Sequence, residues 1–461
     1  MRLQWLLAAC WFVCNASLQA ESPPKMKPNI VYFLIDDLGF ADMGFNGCKD
    51  IKTPNFDKYA RQGAILDCLY GQPVCSPTRA CLMTGRYPVR TGVYNAIGKD
   101  SPSPGSMPLP LGEMTLAQKL HDAGYTTAMI GKWHLGQDAP EFMPTRRGFD
   151  TQYGFMGGSI ASFLETESRN KKKIGDWYRS DKKVAETGFA IHHLAKEACR
   201  IVREQPAEKP LFLYFSPHEV HTPWTTPDEY QKPYADLSGR RKQLAGATAA
   251  ADEAFGQIMA ELESRGMANN TLVIFSSDNG GTSWNKVSDN GVLRGGKAEI
   301  YEGGFRLGAF AWSPGKIPAG IHITEPVHVI DWYPTLAKLA GATAEQKLPL
   351  DGKDIWPVLT EGAKTPHEEI LLIGSRPGQH AIRAGDWKLL LNPTESRERT
   401  KSEPVELYNI ADDLSEKHNL AAQHPERVKV LRAKLAAYVD NSANKEFHQL
   451  KSVLNEQDNN E

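Results

Sequence analysis

The chain has 461 residues, of which 41 % are hydrophobic and 23 % are charged, and its 53 Lys and Arg residues are balanced by 55 Asp and Glu residues. This composition is that of an ordinary globular protein, and the length predicts one large domain with a smaller one. The near-zero net charge argues against a nucleic-acid-binding protein and against attraction to an anionic membrane, so any anion binding must be local.

The first twenty residues predict a secretory signal peptide. They contain one Arg, then an apolar run, then a small residue before "ESPPK", which is the order found in cleaved signals. A lipoprotein cleavage box ending at Cys10 is the alternative. No later stretch is apolar enough to span a bilayer. We therefore expect an exported protein, periplasmic or secreted and bacterial, with no stable membrane insertion.

The next part of the chain, 27–355, predicts a catalytic domain in which apolar runs alternate with amphipathic segments, as in α/β layers. Three segments carry helix start and stop signals: "TPNFDKYARQG", "TLAQKLHDAG" and "DWYPTLAKLAG". Thr53 is expected to cap the first. In the second, Thr115 precedes Gln118 by three residues and predicts a capping box, and Gly124 is the stop signal.

Four apolar runs in this region are each followed by polar residues. "NIVYFLI" precedes Asp36 and Asp37, "YTTAMI" precedes Lys132 and His134, "PLFLYFS" precedes His221, and "TLVIFSS" precedes Asp278 and Asn279. Ligands of open parallel sheets bind outside the carboxyl ends of the strands. If the four strands are parallel, their polar tips converge on one site.

The residue types at these tips indicate chemistry on an oxyanion ester. The acidic and amide side chains offer only oxygen, which suits Ca²⁺ or Mg²⁺ better than zinc. The cations and proton carriers are Lys132, His134 and His221, with Arg79 and Lys297 as further candidates. A hard metal and positive donors stabilise a transferring group while a histidine protonates the leaving oxygen. Taken singly, each tip is more typical of a turn, a helix cap or a packed loop.

The pattern changes after about residue 355. "HAIRAGDWKLLLN" predicts a hairpin turning near Gly385, "PVELYNI" a further strand, and "HPERVKVLRAKLAAYV" a closing amphipathic helix. These elements predict a small α+β domain over 360–445, followed by a frayed tail over 446–461.

Five cysteines follow the predicted signal, which is an odd number and sparse for this length, so they do not form a disulfide framework. A single pair among Cys48, Cys68, Cys81 and Cys199 stays open. Cys75 lies between two prolines and near several arginines. From the residues alone it is a bridge, a metal ligand, a nucleophile or a core residue.

The stretch around Cys75 resembles the signature of the type I sulfatases. "CSPTR" at 75–79, continued by "ACLMTGR", matches Cys-x-Pro-x-Arg with Leu-x-Thr-Gly-Arg downstream. Thr78 stands where many members have Ser, and it keeps the hydroxyl. The resemblance extends into the C-terminal part through "DDLG", "GKWHLG", "PTRRGFD", "HTP", "SDNGG", "GGKAEIYEGG" and "LYNIADDLSEKHNLA". Within the family, the chain is most similar to the N-acetylgalactosamine-4-sulfatase (arylsulfatase B) type.

This resemblance implies a fold and a cofactor set. The fold is an alkaline-phosphatase-like large domain, with a mixed, mostly parallel sheet sandwiched by helices, plus a small C-terminal α+β domain with an antiparallel sheet. Cys75 is implied to be oxidised to formylglycine (3-oxoalanine) by a formylglycine-generating enzyme. One Ca²⁺ is implied to bind the oxygens of Asp36, Asp37, Asp278, Asn279 and modified Cys75.

The resemblance also implies a mechanism and a substrate class. The hydrated aldehyde attacks sulfur, with Arg79 and Lys132 positioning and polarising it. Lys132, His221 and Lys297 bind the sulfate, and the last two help to protonate the leaving oxygen. His134 then removes a proton so that sulfate is released and the aldehyde re-forms. The implied activity is that of an arylsulfatase-type sulfuric ester hydrolase (EC 3.1.6) acting on a sulfated carbohydrate, a glycosaminoglycan or algal polysaccharide fragment.

Three other functions stay open. A phosphomonoester or phosphodiester hydrolase of the same superfamily would use a similar metal site. A hydrolase with Cys75 as a thiolate nucleophile would need a partner histidine. A secreted glycan-binding protein without activity would have lost some of the matched residues. The segments 155–185 and 282–294 are expected to line sugar subsites, and the lysines at 171–173 are expected to be a solvated run rather than a binding site.

Overall fold

The computed structural model describes residues 26–98, 105–137, 139–164, 176–282, 287–393 and 404–443. The predicted signal peptide over 1–20 with its alternative attachment site Cys10, the lysine run at 171–173 and the predicted tail over 446–461 lie outside the described residues.

Eleven helices and nineteen strands are described. The helices are α1 Pro54–Arg61, α2 Cys75–Thr84, α3 Pro88–Thr91, α4 Leu116–Asp122, α5 Ala190–Glu204, α6 Asp228–Gln231, α7 Gly239–Ser264, α8 Glu302–Phe305, α9 Trp332–Leu339, α10 Trp356–Glu361 and α11 Pro425–Asp440. The strands are β1 Asn29–Ile35, β2 Ala64–Leu66, β3 Leu69–Tyr70, β4 Thr126–Lys132, β5 Thr151–Phe155, β6 Phe163–Leu164, β7 Trp177–Arg179, β8 Lys182–Lys183, β9 Gly188–Phe189, β10 Leu211–Ser216, β11 Thr271–Ser277, β12 Arg306–Leu307, β13 Ala309–Trp312, β14 Ile321–Ile323, β15 Val327–His328, β16 Ile370–Ile373, β17 His380–Ala384, β18 Trp387–Leu391 and β19 Val405–Asn409.

A ten-stranded sheet organises the large part of the molecule. Its strand order is β14-β2-β13-β11-β1-β10-β4-β5-β7-β8. The five strands from β11 to β5 are all parallel to one another, whereas β13, β7 and β8 pair in antiparallel fashion. The sheet is therefore mixed and mostly parallel, as predicted.

Helices cover both faces of this sheet because the side chains of each central strand alternate between two cores. In β1, Tyr32 joins the core that contains α2, α4 and α9, and its neighbour Phe33 joins the core that contains α1, α5 and α7. Phe33 packs with Phe56 and Phe275 at ring-centroid distances of 5.8 Å each. All seven residues of β1 are buried, as expected for a strand covered on both faces.

Of the two helix caps predicted from the sequence, the structure contains one. The capping box of Thr115 and Gln118 is present at the start of α4. Thr53 occupies the N-cap position of α1, but its hydroxyl makes no capping bond and instead bonds Asp57 Oδ1 at 2.9 Å. The first turn of α1 is capped by Asp252 of α7, whose carboxylate accepts the N–H groups of residues 55 and 56 at 3.1 and 2.8 Å.

The C-terminal part forms a second, four-stranded antiparallel sheet in the order β16-β17-β18-β19. β17 and β18 are the predicted hairpin, which turns at residues 385 and 386, and α11 is the predicted closing helix. One face of this sheet packs against Ile300, Tyr301 and Phe305 of the large part. Both sheets together confirm the predicted fold class.

The described residues contain no disulfide and no candidate membrane helix. The thiols of Cys48, Cys68, Cys75, Cys81 and Cys199 are all free. Each helix in the described ranges is too short or too polar to cross a bilayer.

Candidate active site

The four predicted strand tips meet at one edge of the large sheet. β11, β1, β10 and β4 are neighbours in that order, and all three pairings between them are parallel. Their carboxyl ends lie side by side, which brings the residues after β1 and β11 next to Lys132, the last residue of β4. The prediction that these tips converge is confirmed.

A cluster of three carboxylates and one thiol lies at this edge. Ligand atoms of Asp36, Asp37, Asp278 and Cys75 are all within 4.8 Å of one another, and each of these residues is at most 3 % exposed. Cys75 is the first residue of α2, and its Sγ lies 3.5 Å from Asp36 Oδ1. Like charges buried this closely are unfavourable unless cations compensate them.

One cation is paired with each carboxylate. Lys132 Nζ lies 2.5 Å from Asp36, Lys297 Nζ lies 2.7 Å from Asp37, and Arg79 Nη2 lies 2.8 Å from Asp278. Burial opposes the charged form of Lys297, but the negative charges of Asp37 and its neighbours outweigh burial and raise the pKa of Lys297. Burial also opposes the charged form of Asp36, but Lys132, His221, Arg79 and Lys297 together outweigh burial and lower the pKa of Asp36. Asp36 and Lys297 therefore keep their charges at neutral pH.

Arg79 is held in place by groups that the sequence did not predict. Its Nη1 donates to the carbonyl oxygen of Lys132 at 3.1 Å, to the hydroxyl of Tyr214 at 3.3 Å and to that of Ser216 at 2.6 Å. Tyr214 and Ser216 are two residues apart on β10 and so share one face of the sheet. Two hydroxyls at this spacing in a strand that ends at the site are the signal that could have identified them.

The donor set fits a hard divalent cation. Asn279 Nδ2 donates to Asp37 Oδ1 at 2.8 Å and to the carbonyl oxygen of Gly280 at 2.9 Å. Its Oδ1 is left buried with no hydrogen-bond donor. Burial and the charge of Asp36 raise the pKa of Asp278 to about 6, a cost that a cation among these oxygens would remove. Carboxylate and amide oxygens are the ligands that Ca²⁺ and Mg²⁺ prefer.

One ring nitrogen of His134 is held by a hydrogen bond and the other is left without a partner among the described residues. Its Nε2 lies 3.0 Å from the carbonyl oxygen of Ile97. Because a carbonyl only accepts, Nε2 carries the hydrogen and Nδ1 carries the lone pair. That Nδ1 is buried without a partner. Burial and the charges of Lys132 and Arg79 lower the pKa of His134 well below its usual value.

A glycine next to His134 was missed by the sequence analysis. A Cβ on Gly158 would lie 2.7 Å from Nε2 of the imidazole, so only glycine leaves room for the ring in this position. Gly158 follows another glycine in "FMGGS", and a glycine pair after a strand was the available signal.

His221 and Lys297 mark the open side of the cluster. The His221 Nδ1 lies 2.7 Å from the carbonyl oxygen of Thr222 and therefore donates to it, while Nε2 lies 3.7 Å from Asp37 Oδ2. The side chains of His221 and Lys297 are 19 % and 20 % exposed. The other eight predicted site residues are at most 4 % exposed. A substrate therefore reaches the site past these two groups.

Three residues near the motifs lie outside the cluster's hydrogen bonds. Arg86 pairs with Glu113 at 3.0 Å and Arg90 with Asp351 at 3.4 Å, so both are engaged in salt bridges. His218 is fully buried, and burial lowers its pKa to about 3. Its ring packs near that of His221, at a centroid distance of 5.5 Å, and stays uncharged.

The structure thus brings all ten predicted site residues to one edge of the sheet. They are Asp36, Asp37, Cys75, Arg79, Lys132, His134, His221, Asp278, Asn279 and Lys297. A mixed α/β sheet whose strand tips gather acidic oxygens, lysines and histidines is the arrangement of a hydrolase with an alkaline-phosphatase-like fold.

Comparisons with known proteins identify the family. The Sulfatase family profile matches residues 28–342. The chain is 34 % identical to mouse arylsulfatase J over 91 % of its own length and 77 % of the relative. It is 31 % identical to human arylsulfatase A over 90 % of its own length and 88 % of that relative. The chain belongs to the type I sulfatase family and is a sulfuric ester hydrolase, which confirms the resemblance.

A solved structure shows the same fold over nearly the whole chain. The crystal structure of Ps i-CgsB superimposes with a TM-score of 0.84 at 33 % identity, covering 93 % of this chain and 96 % of that one. The complex of Ps i-CgsB with k-i-k-neocarrahexaose gives a TM-score of 0.82 at the same identity, covering 93 % of this chain and 97 % of that one.

Proposed function

We propose that this sulfatase removes sulfate from a sulfated carbohydrate by means of a formylglycine made from Cys75 and one bound Ca²⁺. The observation that carries the proposal is the position of Cys75. Its Sγ lies 3.5 Å from Asp36 in the carboxylate cluster and 3.6 Å from Lys297 on the open side. A group at this position touches both the proposed metal ligands and the proposed sulfate-binding cation.

A thiolate at position 75 is a poor alternative. Burial and the carboxylates of Asp278 and Asp36 raise the pKa of the Cys75 thiol, whereas nucleophilic cysteines need a lowered pKa. The family signature around Cys75 supports oxidation to an aldehyde by a formylglycine-generating enzyme. A hydrated aldehyde supplies two hydroxyl groups, one to attack sulfur and one whose deprotonation releases sulfate.

Five residues supply the proposed metal ligands: Asp36, Asp37, Asp278, Asn279 and modified Cys75. Bound Ca²⁺ supplies positive charge to the sulfate oxygens. The choice of Ca²⁺ follows the family resemblance, and the all-oxygen set of protein side chains supports a hard cation.

The proton transfers are assigned from the ring nitrogens. His134 Nδ1, with Nε2 fixed by Ile97, accepts a proton from the second hydroxyl at position 75. His221 Nε2 and Lys297 Nζ face the open side, so they bind the sulfate and deliver a proton to the leaving oxygen. Lys132 and Arg79 are fully buried and orient the group at position 75, with Lys132 contributing to the sulfate site.

The proposed substrate class rests on the relatives. Canine, mouse and human relatives at 32 to 33 % identity are N-acetylgalactosamine-6-sulfatases, and the matched Ps i-CgsB complex contains an oligosaccharide. A cavity of about 570 Å³ lies beside the loop that carries Lys297, lined by Arg241, Ser288, Asp289 and Asn290 among others. Its polar walls suit a sugar. With the predicted signal, we propose that the enzyme acts after export, in the periplasm or outside the cell.

The test measures sulfate and phosphate release from matched aryl esters and from sulfated saccharides. The enzyme is co-expressed with a formylglycine-generating enzyme and compared with Cys75→Ala. We expect sulfate release that disappears in the variant, together with the mass of an aldehyde at residue 75. Faster phosphate release would instead indicate a phosphoester hydrolase.

The thiolate alternative needs unfolding before labelling. Because the Cys75 thiol is 2 % exposed and has a raised pKa, iodoacetamide would not reach it in the native protein. After unfolding, the active enzyme should carry no alkylated residue at position 75. Full activity with full alkylation there would contradict the formylglycine proposal.

A further inference from the structure

The two ends of the loop that carries Lys297 are joined by a hydrogen bond. The loop packs between the chain segment before Cys75 and the segment after Asn279, both of which lead to the carboxylate cluster. We define the Lys297 loop as residues 294–303, because the N–H of Gly303 donates to the carbonyl oxygen of Arg294 at 2.7 Å. The N–H of Lys297 donates to the carbonyl oxygen of Gly281 at 3.1 Å. The N–H of the following residue, Ala298, donates to the carbonyl oxygen of Pro73 at 2.7 Å. The loop thus lies against the residues that follow Asn279 and precede Cys75.

Both ends of the Lys297 loop are bonded to one residue of the C-terminal part. The backbone oxygen of Glu416 accepts from Arg294 Nη1 at 2.8 Å. The side-chain Oε2 of Glu416 accepts from the N–H of Glu302 at 2.7 Å. Glu302 immediately precedes the closing Gly303. One buried residue is therefore bonded to both the entry and the exit of the loop.

Glu416 is itself fixed by a buried charge network. Lys388 of β18 places its Nζ 2.9 Å from a carboxylate oxygen of Glu302 and 2.9 Å from one of Glu416. All three side chains are 0 % exposed. Glu302 also accepts a hydrogen bond from the hydroxyl of Tyr70 at 2.8 Å. The network joins the small sheet to the first turn of α8.

Such a network is a weak source of stability. Burying charges costs solvation free energy, and well-packed apolar residues of similar volume are often as stable or more stable. These charged groups instead make the local geometry specific, because Glu416 accepts a hydrogen bond from one particular N–H and Lys388 bridges two particular carboxylates. Directional bonds at both ends of a ten-residue loop restrict where its middle can lie.

We infer that Glu416 is a positioning residue for Lys297, through which the C-terminal sheet holds the sulfate-binding ammonium group in place. This inference rests on the proposed role of Lys297. Glu416 does not contact the carboxylate cluster in any described hydrogen bond or ion pair. Its effect on the reaction must pass through the Lys297 loop.

The experiment is a double-mutant cycle on the full-length enzyme, with kcat and KM measured on an aryl sulfate. Glu416→Ala, Glu416→Gln and Arg294→Met are each made in the wild type and in Lys297→Ala, and rates are referred to the fraction of protein with aldehyde at residue 75. The Arg294 side chain is 29 % exposed, so its truncation tests the other end of the loop without emptying a buried site. Glu369→Ala is the control, because Glu369 pairs with Lys434 at 2.5 Å away from the loop.

We expect Glu416→Ala to lower kcat about tenfold or more and Arg294→Met to lower it less. Glu416→Gln keeps an acceptor for the N–H of Glu302 and should recover part of the loss. None of the three should lower kcat further in Lys297→Ala, and the control should match the wild type.

Three results would overturn the inference, and they separate it from the proposed function. If the Glu416 variants lowered kcat equally in the wild type and in Lys297→Ala, Glu416 would have a general structural role. Unchanged kcat in folded Arg294→Met and Glu416→Gln, with Lys297→Ala impaired, would refute the positioning role of Glu416 and keep the proposed role of Lys297. Wild-type activity in Lys297→Ala would remove the proposed role and the inference together. If Glu416→Ala does not fold, the other two variants decide.

Discussion

Gly280→Ala tests whether the carboxylate cluster and the Lys297 loop must lie as close together as they do. Gly280 follows Asn279 directly, and its N–H donates to the carbonyl oxygen of Gly304 at 3.1 Å. A Cβ on Gly280 would lie 1.7 Å from the carbonyl oxygen of Gly303, where real Cβ contacts stay above 3.0 Å. The two backbones must therefore separate by more than 1 Å.

That separation displaces one of the two segments that form the site. It moves Asn279 away from the other proposed cation ligands or moves Lys297 away from Asp37. A misplacement of about 1 Å costs on the order of 100-fold in rate, so we expect kcat/KM on an aryl sulfate to fall by about that factor.

The assay is steady-state sulfate release by protein with the same aldehyde content at residue 75. Gly112→Ala is the matched control, since a Cβ there has no atom within 4 Å. A folded Gly280→Ala enzyme within about threefold of the wild type would refute the reasoning, because the two segments would then tolerate a displacement far larger than catalysis by preorganised groups allows.

Three further predictions concern the helix cap, its pH dependence and the metal. Asp252→Ala should lower the free energy of unfolding by about 1–3 kcal/mol in urea titrations, because two N–H groups of α1 lose their acceptor, while kcat stays unchanged. Burial raises the pKa of Asp252 from 3.8 to about 6. The wild type should therefore lose about 3 kcal/mol relative to Asp252→Asn between pH 3.5 and pH 7, because deprotonating a carboxyl whose pKa is raised in the folded state costs the folded state more than the unfolded chain. Chelation should lower both Tm and sulfate release, because Asp36, Asp37 and Asp278 lose a compensating cation, and added Ca²⁺ should restore both.

Each of these has a contradicting outcome. Unchanged urea midpoints for Asp252→Ala would mean that α1 is capped by another group. A constant difference between the wild type and Asp252→Asn across that pH range would mean that the folded pKa is not raised. Full activity after exhaustive chelation, checked by metal analysis, would remove the cation from the proposed mechanism.

The sequence predicted the site well where the signal was local. A run of apolar residues that ends in polar ones identifies both the strand and its tip, and Asp36, Lys132 and Asp278 were found in this way. Parallel pairing of the strands was a topological inference that the alternation of strands and helices supports. The remaining step, from strand tips to one site, followed from that topology.

Several contacts that the sequence did not predict are long-range. The cap of α1 comes from Asp252, 197 residues away from Asn55, while Thr53 bonds Asp57 instead of the helix N–H groups. Arg79 finds the hydroxyl of Ser216 across 137 residues. Helix-cap patterns describe only neighbours along the chain, so a partner brought in by another helix or strand is invisible to them.

The charge balance of the cluster explains why a sulfate ester suits it. Asp36, Asp37 and Asp278 are matched by three cations, so the described site is close to neutral. A divalent cation among the carboxylates would leave a surplus of two positive charges. A sulfate monoester carries one negative charge and a phosphate monoester close to two. With sulfate bound to such a site, one positive charge would stay uncompensated until negative charge develops on the leaving oxygen, so the transition state would be stabilised more than the bound ester. A phosphate dianion would neutralise both surplus positive charges already in the bound ester, so less stabilisation would remain for the transition state.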